Sequence, residues 1–160
     1  MFLLLLSSSS LCDADQFDDT YFDQIRGSWV GDGELMDSAG VTTAIHEEWT
    51  AESEGERFLI QGTRLSGEEN QEFRWIFTFN ASTEFYECSY WHTGMETEMT
   101  FEVSLNGSTA ELRTPFGDSG GELLVSNSVE GDTIDGFVEI SGGNGEVFPL
   151  AKIKHTKRED

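Results

Sequence analysis

Cysteine, proline and positive charge are all scarce in this 160-residue chain. Its two cysteines are Cys12, within an apolar first stretch, and Cys88, which is left without a partner, so no disulfide framework is expected. Of the two prolines, Pro115 reads as a loop residue. Pro149 falls inside the last predicted strand, where it marks a bulge or an unpaired edge position. Lys and Arg number 9 against 31 Asp and Glu, for a formal charge of −22. Such a surface repels phosphate backbones and anionic headgroups, which excludes nucleic acid and lipid surfaces as partners. The acidity suits solubility in a salty or extracellular medium. No apolar run approaches the ~20 residues of a transmembrane helix. "CDADQFDD" (12–19) lacks the glycine and distal glutamate of a calcium-binding loop.

What is present divides into three parts. "MFLLLLSSSSLC" (1–12) reads as the remnant of a secretory leader and predicts an exported protein, periplasmic or extracellular. Residues 13–25 form an acidic segment in which Phe17, Tyr21, Phe22 and Ile25 make one apolar stripe, the mark of a short helix. Residues 26–158 form the expected barrel domain, and from residue 28 onward the period changes to two. In "QEFRWIFTF", Phe73, Trp75, Phe77 and Phe79 face one way and Glu72, Arg74, Ile76 and Thr78 the other. "METEMTFEV" (95–103) repeats the pattern with Met95, Met99, Phe101 and Val103, and "EFYECSYWH" alternates Tyr86, Cys88, Tyr90 and His92 against Phe85, Glu87, Ser89 and Trp91. Further runs at 28–36, 41–51, 57–65, 108–113, 121–127, 133–140 and 147–155 bring the total to about ten strands, separated by short Gly, Asn, Asp and Ser clusters of the hairpin kind. No helix is long enough for a βαβ crossover. A meander of this length leaves two open edges unless it closes, so the expected fold is all-β, a closed up-and-down antiparallel barrel with a short N-terminal helix.

The stretch "RGSWVGDGEL" (26–35) is glycine-rich where the first strand begins. Gly27-Ser28-Trp29 resembles the Gly-x-Trp start of lipocalin-like (calycin) barrels, and with Gly31 and Gly33 it is similar to the Gly-x-Trp-x-Gly-x-Gly start of their nitrobindin-like branch. The resemblance implies that Trp29 plugs the closed end of the barrel and that Gly31 and Gly33 let the first strand bend across its floor. It also implies an arginine from the end of the last strand against this tryptophan, a place Arg158 would fill. In nitrobindin-like proteins a haem is held by a histidine in a His-Leu-x-Ala-x-Leu pattern. The matching text is Phe148-Pro149-Leu150-Ala151-Lys152-Ile153, with phenylalanine where the ligand should stand, so no haem and no other cofactor is expected.

Other chemistry has thin support. The three histidines, His46, His92 and His155, show no metal-ligand spacing, and each reads as a surface or strand-end residue. His92 shares a face with Tyr86, Cys88 and Tyr90 and could work with His46 or Glu48 as an acid–base pair if they met. Gly117-Asp118-Ser119-Gly120-Gly121 matches the serine-protease string, but in a chain this short, without the partner motifs, it reads as a hairpin turn. Arg74 points either into the lumen or to solvent among surface acids; in the favoured solvent-facing frame, Trp75, Phe77, Tyr90 and Phe101 line the interior. The ligand-binding set is therefore Trp75, Phe77, Tyr90, His92, Met99 and Phe101, with no catalytic residue assigned and Gly27, Trp29, Gly31, Gly33 and Arg158 as barrel closure. The function expected is binding or carriage of a small, mostly apolar molecule by a monomer or dimer. The alternatives are an enzyme built on a cavity His/carboxylate pair and a filled structural barrel.

Overall fold

A computed structural model describes residues 16–17, 19–118 and 120–159. The leader-like stretch 1–12, the start of the acidic segment and Ser119 lie outside the described residues. A short helix, α1 (Thr20–Ile25), precedes ten strands: β1 (Gly27–Met36), β2 (Thr42–Glu54), β3 (Arg57–Ser66), β4 (Glu69–Asn80), β5 (Phe85–His92), β6 (Met99–Asn106), β7 (Thr109–Phe116), β8 (Gly121–Glu130), β9 (Thr133–Ser141) and β10 (Val147–Lys157). Each strand pairs antiparallel with the next, and β1 pairs with both β2 and β10, so the barrel is closed. Closure leaves no unpaired sheet edge. Among the described residues no helix is long and apolar enough to cross a membrane.

Turn chemistry sets the register. The two-residue connections β2–β3, β3–β4, β6–β7 and β8–β9 each begin with a glycine (Gly55, Gly67, Gly107, Gly131), at φ of 62°, 60°, 59° and 58°. Positive φ at the first loop position is what a type II′ hairpin requires, and its twist matches that of the strands it joins. With the register pinned, the period of two decides which side chains enter the barrel. On β2, Ile45, Glu47, Trp49 and Ala51 are buried while Ala44, Glu48, Thr50 and Glu52 are exposed.

One end is sealed by aromatic packing. Asp19 caps α1 by accepting from the Tyr21 amide at 3.2 Å, and the helix lays Tyr21, Phe22 and Ile25 into the barrel. The Phe22 ring lies 4.8 Å from Phe58 and 5.4 Å, edge-on, from Phe77. Trp29 is fully buried, stacks on Trp49 at 5.5 Å and donates from its indole N–H to the Ile25 carbonyl at 2.8 Å. That bond ties the helix's last turn to the first strand, satisfying an end carbonyl that has no partner within the helix.

Several expectations are corrected. Lys157, not Arg158, sits over Trp29, its ammonium 5.5 Å from the ring centroid. The period of two is the reason: Lys157 is the register partner of Trp29, whereas Arg158 falls on the outer face and pairs with Glu48 at 2.7 Å. Strand β6 starts at Met99, because the chain turns at Gly94, where the Met95 amide bonds to the His92 carbonyl, and Glu96, Thr97 and Glu98 run exposed. Pro115 is not in a loop but within β7, opposite Glu122. Pro149 does mark a bulge, with the β9–β10 register shifting between Pro149 and Ala151. Arg74 faces solvent, bonded to Glu98 at 2.7 Å.

Candidate functional site: a cavity with a buried ionic cluster

The barrel encloses a cavity of ≈ 250 Å³ that runs from Tyr21 of α1 to Leu35, Ile45 and Leu150 at the opposite end. Its wall is mostly apolar. Of the six residues assigned to ligand binding, Trp75, Phe77, Tyr90, Met99 and Phe101 line it, brought together by β4, β5 and β6. Trp75 and Tyr90 are register partners with ring centroids 4.0 Å apart, and Phe101 lies 5.7 Å from Trp75.

His92 does not line the cavity. It ends β5, and its Nδ1 is 2.7 Å from the carbonyl oxygen of Thr93. His46 and Glu48 lie on the outer face of β2, where His46 Nδ1 is 2.7 Å from Asp32 and Nε2 3.5 Å from Glu48. The Asp32 hydrogen bond is the main cause that raises the His46 pKa. An acid–base pairing of His92 with His46 or Glu48 is therefore not formed: His46 and Glu48 point out of the barrel, and His92 turns to its own neighbour. Among the described residues, no group of three or more His, Cys, Asp or Glu side chains converges as metal ligands.

Inside the lumen a different set meets. Glu47 of β2, Arg64 of β3 and His155 of β10 join Tyr90 in one hydrogen-bonded cluster. The Arg64 Nε donates to Glu47 Oε1 at 2.5 Å, His155 Nε2 lies 2.9 Å from Glu47 Oε2, and Arg64 Nη1 reaches the Tyr90 hydroxyl at 3.4 Å. Glu47 and His155 are each 5% exposed, and they are the buried polar or charged residues among those described. Burial alone raises the Glu47 pKa, but the His155 hydrogen bond and the Arg64 charge outweigh it, so the carboxyl titrates below its ordinary value. Burial opposes the Arg64 charge in the same way, and Glu47 more than offsets it. The Tyr90 phenol is pushed up by burial, with Arg64 pulling the other way. It therefore remains a protonated donor at neutral pH.

His155 Nδ1 is buried with no hydrogen-bond partner. Donor accounting favours the tautomer protonated on Nε2, because a second proton on Nδ1 would be an unpaired buried N–H. With Nε2–H given to Glu47 and Nδ1 enclosed by protein, this imidazole orients the carboxylate toward Arg64. The glycines of the opening stretch explain its place. A Cβ on Gly31 would stand 2.3 Å from His155 Cδ2, and one on Gly33 would stand 2.2 Å from the Lys152 carbonyl oxygen. These glycines thus admit the close approach of β10 and the imidazole it carries, a role beyond bending the first strand.

Glu47, Arg64 and His155 were each legible in the alternation. Ile45, Trp49 and Ala51 put Glu47 on the inner face; Phe58 and Ile60 do the same for Arg64, and Ala151 and Ile153 for His155. The rule that charged side chains face solvent hid them.

No protein-family model matches the chain, and no curated protein matches it in sequence. Solved structures do. The S-type phycobiliprotein lyase CPES from Guillardia theta superposes with a TM-score of 0.60 at 11% identity, over 88% of this chain and 92% of that one. Rv2717c from M. tuberculosis superposes with a TM-score of 0.61 at 12% identity, over 85% of this chain and 94% of that one. The fold is a lipocalin-like barrel. In this lipocalin-like barrel the residues do not fit the haem that a nitrobindin resemblance would bring. Phe148, at the ligand position, is 53% exposed and has no lone pair, and the lumen's own imidazole is committed to Glu47.

Proposed function

We propose that the protein binds or carries a small, mostly apolar molecule inside the barrel. The observation that carries this reading is the ≈ 250 Å³ cavity with an aromatic wall and few polar groups, the Glu47–Arg64–His155–Tyr90 cluster and the hydrogen-bonded Tyr21–Asn127 pair. An apolar pocket with a few convergent polar groups is the usual form of a small-molecule site, the apolar wall supplying affinity and the polar groups orientation. The volume equals about eight waters at ~30 Å³ each, or an organic molecule of on the order of ten non-hydrogen atoms. A compact aromatic or terpene-like molecule fits that size better than a long acyl chain.

Because Trp75 stands in the wall, a ligand entering the cavity changes its emission. Titration with a naphthalene-sized environment-sensitive dye, which matches the cavity volume, should give saturable one-to-one binding. Leu123→Trp, which fills the lumen, should remove that binding while leaving the barrel's circular dichroism intact. A dye signal that never saturates, or that survives Leu123→Trp, would sink the reading in favour of a filled barrel.

A further inference from the structure

We infer, resting on the binding reading above, that the polar cluster selects an uncharged ligand carrying a hydrogen-bond acceptor, such as a small aromatic ketone or aldehyde, and rejects carboxylates. The cluster has a surplus of donors. The Tyr90 oxygen accepts from Arg64, but among the described residues its own O–H has no acceptor. The Arg64–Tyr90 contact is long, at 3.4 Å, and leaves the phenol free to turn toward the lumen. Arg64 uses Nε on Glu47 and Nη1 on Tyr90, while Nη2 has no hydrogen bond to a described residue. On the acceptor side, each Glu47 oxygen already takes one bond, from Arg64 or from His155.

Exposure points the same way. The Glu47 side chain is 7% exposed, whereas the Arg64 side chain retains 19%. What the cavity meets at this spot is therefore N–H and O–H. A ligand's polar atom must supply lone pairs there, and a carbonyl oxygen does so without a proton of its own to place.

Charge excludes the anionic version of the same contact. The positive charge of Arg64 is neutralised by Glu47 at 2.5 Å, so a ligand carboxylate would enter beside an existing carboxylate. It would also approach a protein of formal charge −22. The buried phenol, held protonated by its surroundings, is the matching partner for a neutral acceptor.

Three probes of nearly one shape separate the possibilities: acetophenone, α-methylstyrene, which replaces its carbonyl oxygen by a methylene group, and benzoate. Binding to the full chain would be followed by proton–nitrogen NMR at the tryptophan indoles. Acetophenone should bind about tenfold tighter than α-methylstyrene, the discrimination one buried hydrogen bond supplies, and benzoate more weakly than either. Tyr90→Phe should bring the ketone-to-alkene ratio below about three, and saturable binding of α-methylstyrene by that variant reports an intact cavity. Equal affinity for acetophenone and α-methylstyrene would overturn the acceptor inference and leave the binding site standing. Benzoate binding tightest would overturn it by making Arg64 an anion anchor. If no probe binds, the binding reading falls, and this one with it.

Discussion

Replacing Glu47 by glutamine removes the carboxylate that accepts from both Arg64 and His155 inside the barrel. The amide keeps one acceptor and presents N–H₂ where the other partner expects an oxygen, leaving a guanidinium without its counter-charge. Breaking a buried pair by removing one partner costs about 3–5 kcal/mol. Arg64 retains 19% of its side-chain surface and can turn partly toward water, so the lower end, about 3 kcal/mol, is expected. In urea, with a slope of about 2 kcal/mol per molar for a chain of this size, the midpoint should fall by about 1.5 M, read by tryptophan fluorescence. The double variant Glu47→Gln/Arg64→Met removes both charges and should recover most of that loss, because the cost lies in the orphaned charge and not in the missing contact. A Glu47→Gln protein within about 1 kcal/mol of the parent, or a double variant no more stable than the sum of the singles, would refute the reasoning. The pH dependence has a definite sign. The Glu47 carboxyl is lowered in the fold, so the folded state binds fewer protons there than the unfolded chain. Its contribution is complete above the ordinary carboxylate value of about 4.3 and is lost as pH falls through the folded value. The stability gap between parent and Glu47→Gln should therefore be flat above about pH 5 and close in acid.

Gly31→Ala places a Cβ 2.3 Å from His155 Cδ2, and the imidazole must leave Glu47 to make room; overpacking of this kind costs about 1–3 kcal/mol, a fall of roughly 3–10 °C in a thermal melt. Trp29→Phe loses the buried indole bond to the Ile25 carbonyl and should cost about 1–2 kcal/mol in a urea titration, whereas Arg158→Ala, on the exposed outer face, should leave the midpoint unchanged. Cys88 is fully buried, and burial pushes its thiol pKa well up, so in a Cys12→Ser chain, which leaves Cys88 as its one cysteine, an aromatic disulfide reagent should label it only as the protein unfolds; rapid labelling of that variant in its native state would contradict the position of Cys88 in the core.

The sequence by itself determined the architecture. Alternation with a period of two, interrupted by short glycine-led turns, leaves little but a hairpin meander, and a meander of ten greasy strands is relieved of its edges by closing. The aromatic half of the site was legible for the same reason: Phe73, Trp75 and Phe77 on β4 must share a face, and burial chooses the face. The glycines around Trp29 could be read as marking a corner, but the neighbour that needs the space, His155, lies 124 positions away from Gly31 by sequence number and comes beside it only when β10 closes onto β1. Whether a histidine stands in solvent or in the lumen depends on strand register and on a partner from another strand. His92 ends β5 beside a carbonyl that satisfies it locally, while His155 finds Glu47 across the barrel. A charged side chain is stable inside only when its counter-charge arrives at hydrogen-bonding distance. Glu47 and Arg64 face each other because the β2–β3 hairpin pairs them directly, and His155 joins them because the barrel is closed. Local pattern decides which way a side chain points. Only the closed tertiary structure decides what it meets there, because those contacts link strands that no short-range pattern connects.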